Sequence, residues 1–235
     1  MNKVLLYIAL LPTLVLGGYI YNNDRMGKEP KGLLFKCFIA GIGSVIITLV
    51  LSGLLDLIYF TDNLLNYGII GAFIYCVFSI ALIEEFSKYI MLKLSTWNHK
   101  EFDHIFDAIV YAVFVSLGFA TIENLLYVFG NENGLWVAIF RAILSVPGHA
   151  FFGIYMGYYY GLAKQSEINN NIKLKNKNLS LALIIPILMH GFYDFCIYAN
   201  KFIFVVIYFI FVIILYIKAF KTVSKVARVQ KNMKN

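Results

Sequence analysis

Long apolar runs separated by short polar connections set the pattern of this chain. They can be placed at about 4–21, 33–59, 69–91, 104–128, 137–161, 180–199 and 202–219, and most are near or above the roughly 20 residues a helix needs to cross a hydrocarbon core of about 30 Å. The pattern predicts an all-α, polytopic membrane helix bundle of about seven transmembrane helices, forming a single integral-membrane domain over residues 1–235. The longest stretch outside the runs, about 163–178, is polar, rich in Asn and Lys, and too short for a domain of its own. There is no internal repeat, no Gly-rich phosphate loop and no CxxC pair, so the chemistry is expected in or at the membrane.

Composition agrees: 60% of residues are hydrophobic and 14% charged, with a mean hydropathy of +0.75, outside the range of soluble globular domains. The charge alternates from one connection to the next. Arg25, Lys28, Lys31 and Lys36 are followed by none near 60–68, then Lys93 and Lys100, then none in 129–136. Lys164, Lys173, Lys175 and Lys177 are followed by Lys201 alone, then by a basic tail over about 218–235. Sixteen positive residues on one face against Lys3 and Lys201 on the other put the C-terminus in the cytoplasm and the N-terminus outside. The net charge of +7 thus reflects topology and calls for no nucleic acid, and the basic tail suits contact with anionic headgroups of the lipid bilayer. The first run is read as a span, with a cleaved signal peptide as the alternative. Cys37, Cys76 and Cys196 are odd in number and lie within or at the edges of spans, which argues against a disulfide framework.

Against this apolar background, Glu84 and Glu85 are adjacent inside the third run, with Lys88 one turn later. Ionisable residues within a span are rare and mark a pathway or a reaction centre. Lys88 can pair well with only one of the two carboxylates, which favours an acid and a base held side by side. The bland alternative has Lys88 snorkelling to the surface and the glutamates lining a wet crevice. In the fifth run His149 shares a face with Gly153, Gly157 and Gly161, small residues that let helices approach closely, so His149 is expected to point into the bundle. In the sixth run His190 and Asp194 stand one turn apart, with Pro186 predicting a kink just before the histidine. That acid can hold an imidazole tautomer or share a metal with it. The fourth run carries Asp107, Glu123 and Asn124. Glu123 is expected to meet Arg141 across the short 129–136 loop as a buried pair, and Asp107 is expected to anchor the start of its helix.

A carboxylate base, two histidines and an auxiliary acid on different helices meet the requirements for activating one water against a carbonyl. Amide hydrolysis is the natural reaction. The residues of the serine, GxGD-type aspartyl and HExxH routes are missing. His149, His190 and Asp194 are also of the type that binds a divalent metal, so no cofactor is assured and a metal remains open. A proton-coupled transporter would use the same acids and histidines as a relay, and a non-catalytic partner or immunity protein would keep the fold without the reaction.

Four stretches taken together resemble the ordered motifs of the PrsW family: Glu84-Glu85-Phe-Ser-Lys88, the segment from Asp107 to Glu123-Asn124, Arg141 to His149 with Gly153 and Gly157 following, and His190-Gly-Phe-Tyr-Asp194. The resemblance runs from the first span to the last. It implies a polytopic intramembrane protease of the bacterial cell membrane that makes the first cut in a single-pass, membrane-spanning anti-sigma factor and so starts release of an extracytoplasmic-function sigma factor. It also implies that Glu84, Glu85, His149, His190 and Asp194 form the catalytic set with Glu123, supported by Lys88, Asn124 and Arg141. Lys88 and Ser145 stand where the related prenyl-protein endopeptidases differ.

Overall fold

The computed structural model describes residues 3–24, 27–59 and 61–234, so Arg25, which the charge count includes, lies outside the described residues. Among these the chain is predominantly helical, with no strand, and seven helices are long and apolar enough to cross a membrane. The chain is a multi-pass membrane protein. The first two spans are α1 (Lys3–Asn23) and α2 (Lys31–Tyr59). The third is composite: a 3-10 turn at Thr61–Tyr67, α3 (Gly68–Ile74), a π-helical stretch at Tyr75–Ala81, and α4 (Leu82–Thr96). The fourth is α5 (Ile105–Phe129), and the fifth joins α6 (Gly134–Phe140), a π-helical stretch at Arg141–Ser145, and α7 (Val146–Ile168). The sixth and seventh are α8 (Ile172–Tyr198) and α9 (Phe202–Lys234), the latter carrying the basic tail as an unbroken helix.

α5 is apolar on every side, and a helix of that kind belongs in the middle. It is buried almost without a break from Phe106 to Thr121, with α1, α2, α4 and α7 packed around it. Backbone approach on two sides depends on glycine. A β-carbon at Gly118 would lie 2.0 Å from the Phe38 carbonyl oxygen of α2, and one at Gly157 would lie 2.5 Å from the Ala108 carbonyl oxygen of α5. The predicted small-residue stripe of the fifth span is therefore the surface that seats α7 on α5, and it turns His149 inward.

The polar stretch at 163–178 is not a loop. α7 runs to Ile168 and α8 starts at Ile172, so only three residues connect them. Its lysines continue the helices, as straight-chain side chains do readily, and its asparagines make the turn. Asn170 adopts φ 56°, a left-handed conformation that asparagine tolerates, and the Asn171 side chain accepts from Leu174 N at 3.0 Å to cap α8. Glu167 ties the two helices by pairing with Lys164 and Lys175. α8 continues unbroken through Pro186.

Asp107 anchors the start of α5 as expected: its Oδ2 accepts from the backbone N–H groups of His104 (2.7 Å) and Asp103 (3.2 Å). Nearby, the connection between α1 and α2 is pinned by buried Glu29, which accepts from the Tyr111 hydroxyl of α5. Burial pushes the Glu29 carboxyl up to about 7, with the Tyr111 hydroxyl opposing and Asp24 reinforcing the shift. Cys37, Cys76 and Cys196 are buried free thiols.

Candidate active site

Of the twenty Lys and Arg residues, Lys36 and Lys218 fall near the ends of their runs and only Lys88 and Arg141 lie deep within one, and both converge on one place between α4, α5, α7 and α8. Lys88 does not snorkel. Its side chain is 0% exposed, 2.7 Å from Glu85 Oε1 and 3.3 Å from Glu84 Oε2, 3.1 Å from His149 Nδ1, and 4.0 Å above the Phe119 ring. The unequal distances meet the expectation that one carboxylate would be the better partner. They also separate the two glutamates: Glu85 is sealed behind Lys88, whereas Glu84 lines a cavity of about 310 Å³.

The histidines close the cluster from the other side. His149 places Nε2 2.8 Å from Glu123 Oε2, and Nδ1 accepts from Lys88, so the proton sits on Nε2. His190 places Nδ1 2.9 Å from Glu85 Oε1 and Nε2 3.3 Å from Asp194 Oδ2. The two imidazoles meet edge to face with centroids 5.2 Å apart, and Phe152 stacks on His190 at 5.0 Å. Glu123, Arg141, His149, His190 and Asp194 line the same cavity as Glu84.

Glu123 makes the expected bridge to Arg141, at 2.9 Å, and also holds His149 through the same oxygen. The Arg141 Nε donates to Asn124 Oδ1 at 3.0 Å, and Asn124 Nδ2 donates to the Ala9 carbonyl of α1 at 2.8 Å. A single polar chain thus runs from the first span to the His149 ring. Three features escaped sequence reasoning. Phe119 and Phe152 look like ordinary core residues, the Tyr208 hydroxyl donating to Tyr193 at 2.5 Å on the cavity wall has no spacing signature, and the π-helical stretches have no compositional mark.

The residues fit a divalent cation. Glu84, Glu85, His149 and His190 each offer one donor atom, all within 4.8 Å of one another. Glu85 Oε2 is buried and has no hydrogen-bond partner among the described residues, an omission that calls for an explanation. Four carboxylates (Glu84, Glu85, Glu123, Asp194) face two cations (Lys88, Arg141), leaving a formal surplus of about two negative charges in a low dielectric. Glu123 and Asp194 stand behind the two imidazoles as outer carboxylates commonly do at metal-binding histidines. The donor set differs from the expected His149, His190 and Asp194. Asp194 bonds the far nitrogen of His190, and the glutamates take the inner positions.

A membrane-embedded bundle that gathers paired glutamates and two carboxylate-oriented histidines around one small cavity has the makings of an intramembrane hydrolase. Residues 29–218 match the family model described as PrsW family intramembrane metalloprotease, and the chain belongs to that family. It is 41% identical over 191 residues to Protease PrsW of Oceanobacillus iheyensis, covering 81% of each chain. It is 35% identical to Protease PrsW of Bacillus subtilis, covering 80% of this chain and 79% of the relative. Against Protease PrsW of Clostridioides difficile it is 35% identical, covering 83% and 79%. No solved structure matches the chain. The protein is an intramembrane protease, which decides against the transporter and non-catalytic alternatives.

Proposed function

We propose that this protease cuts a single-pass anti-sigma factor on its extracytoplasmic side, the first cut in a sequence that releases an extracytoplasmic-function sigma factor. The observation that carries this reading is where the cavity opens. Its lining climbs from His149 and His190 to Tyr127, Phe140, Ile197 and Tyr198, which are 53%, 59%, 54% and 42% exposed. These lie toward the end of the bundle bearing almost no Lys or Arg, the outer face by the positive-inside rule, with the C-terminus in the cytoplasm. A substrate helix would therefore present its outer juxtamembrane segment to the cavity, from within the membrane.

In this mechanism Glu84, the glutamate that faces the cavity, takes a proton from water as it attacks the scissile carbonyl. Glu85 stays paired with Lys88 and His190 and holds the cluster in register. His149 is aimed by Glu123, itself fixed by Arg141 and Asn124, and places the water. His190, backed by Asp194, returns a proton to the leaving amine. Were a divalent cation bound, Glu85, His149 and His190 would hold it and it would supply Lewis-acid polarisation of the reacting oxygen, with Glu84 then carrying the proton to the leaving amine in place of His190.

Co-expression with single-pass anti-sigma factors tests the proposal. A fragment shortened from the extracytoplasmic side should appear with the parent protein and vanish with Glu84→Gln. Intact anti-sigma factors throughout, under conditions where the parent cleaves another membrane substrate, would overturn the substrate assignment and leave the site assignment standing.

A further inference from the structure

At the other end of the bundle, where α5 begins and α7 and α9 run on past it, lies a second cavity of about 290 Å³ between α7 and α9. Tyr155, Tyr158, Tyr159, Gln165, Thr222 and Lys225 line it. These tyrosines are half-buried against α9, so they face the cleft with an apolar ring and a hydroxyl tip. A groove on the adjoining turn of α9 shares Lys225 and adds Lys221, Ser224 and Arg228, flanked by Phe220 and Val229.

The sequence of α9 explains the groove. Lys218, Lys221, Lys225 and Arg228 recur at intervals of three, four and three residues, so they share one helix face. Ala219, Val223, Val226 and Ala227 are buried on the opposite face. All four cations are exposed, and none forms an ion pair among the described residues. Phe220 and Val229 are 38% and 46% exposed beside them. Concentrated positive charge, hydrogen-bond donors in a cleft, and exposed apolar side chains at the level where α5 emerges from the bundle match an amphiphile with an anionic head.

We propose that the cleft and the basic face of α9 bind an anionic phospholipid. Lys221, Lys225 and Arg228 engage its phosphate, and Tyr158, Tyr159 and Gln165 engage the glycerol and ester oxygens. The acyl chains lie along the apolar side of α9. The site shares no lining residue with the cavity of the glutamate–histidine cluster and does not depend on the substrate reading.

Thermal unfolding of the full chain in a nonionic detergent, titrated with phosphatidylglycerol, tests this. Phosphatidylglycerol should raise the unfolding temperature saturably, whereas phosphatidylcholine and inorganic phosphate should not. The exposed triple variant Lys221→Gln/Lys225→Gln/Arg228→Gln should bind about a hundredfold more weakly, at about fivefold per charge near the surface. Tyr158→Phe/Tyr159→Phe, which keeps every charge, should weaken binding about threefold or more. Lys173→Gln/Lys177→Gln, which removes exposed charge from α8, should leave affinity unchanged. Equal shifts with phosphatidylcholine, a shift with phosphate alone, or an equal loss in the α8 variant would each overturn the proposal.

Discussion

Replacing Lys88 by methionine removes the charge at the hub of the cluster while keeping most of the side-chain volume. At an effective dielectric of about 20, charges at the 2.7 and 3.3 Å separations from Glu85 and Glu84 attract by about 6 and about 5 kcal/mol. Desolvating the ammonium takes back several kcal/mol. The variant is worse placed than this difference suggests, because the glutamates remain buried with no cation between them. Breaking a buried pair on one side costs about 3 to 5 kcal/mol, and that is the expected loss. Unfolding in mixed micelles, followed by fluorescence of Trp97 and Trp136, reads it directly. The cycle with Glu85→Gln isolates the interaction: the double variant should recover about 2 kcal/mol or more relative to the sum of the single losses. A Lys88→Met protein within about 1 kcal/mol of the parent, or a strictly additive cycle, would refute the pairing and with it the account of why Glu85 is sealed away.

Three further outcomes follow from the same geometry. Glu84→Gln should lower substrate cleavage about 100- to 10,000-fold, the range of general-base catalysis, with stability within about 1 kcal/mol of the parent; Asp194→Asn should reduce cleavage less if it acts only through His190. Glu29 sits at about 7 against an ordinary 4.5, so its stabilising contribution is full below about pH 4.5 and is lost as pH rises through about 7, on the order of 1–3 kcal/mol; melting temperatures between pH 5 and 8.5 should fall in the parent and fall less in Glu29→Gln. Removing metal with a chelator should abolish cleavage and lower the melting temperature, with zinc or another divalent ion restoring both, and His149→Ala should retain about 10- to 100-fold less metal affinity by elemental analysis.

The spans were legible because apolar length is a direct demand of the bilayer, and the site residues because each of Glu84, Glu85, His149 and His190 breaks an apolar run. Their pairings were legible inside one helix, and between helices only for neighbours joined by a short loop, as for Glu123 and Arg141. Glu84–Lys88 and His190–Asp194 follow from i, i+4 spacing, as does the inward aim of His149 from its glycines. The bond from His149 to Glu123 spans 26 residues and that from His190 to Glu85 spans 105, so each depends on how the helices pack, which no local period encodes. The 163–178 stretch was legible as lying outside the apolar runs, but its helical form was not. Its lysines lie at helix ends that project past the apolar layer, where polarity is compatible with helix and does not signal a loop.

The π-helical stretches explain how residues on one span reach one point. Arg141 and His149 are eight residues apart, which in an uninterrupted α-helix sets them about 80° apart around the axis. A π turn accommodates one extra residue and removes about 100° of that rotation. The stretch Arg141–Ser145 lies between the two, so the offset falls to about 20° and both side chains face the same way. That is why a single oxygen, Glu123 Oε2, stands 2.9 Å from Arg141 and 2.8 Å from His149. The third span repeats the device: Tyr75–Ala81 is π-helical and ends just before the turn that carries Glu84 and Glu85. In both spans the widened turn comes just before the residues that enter the cluster, and it resets their rotation relative to the start of the span.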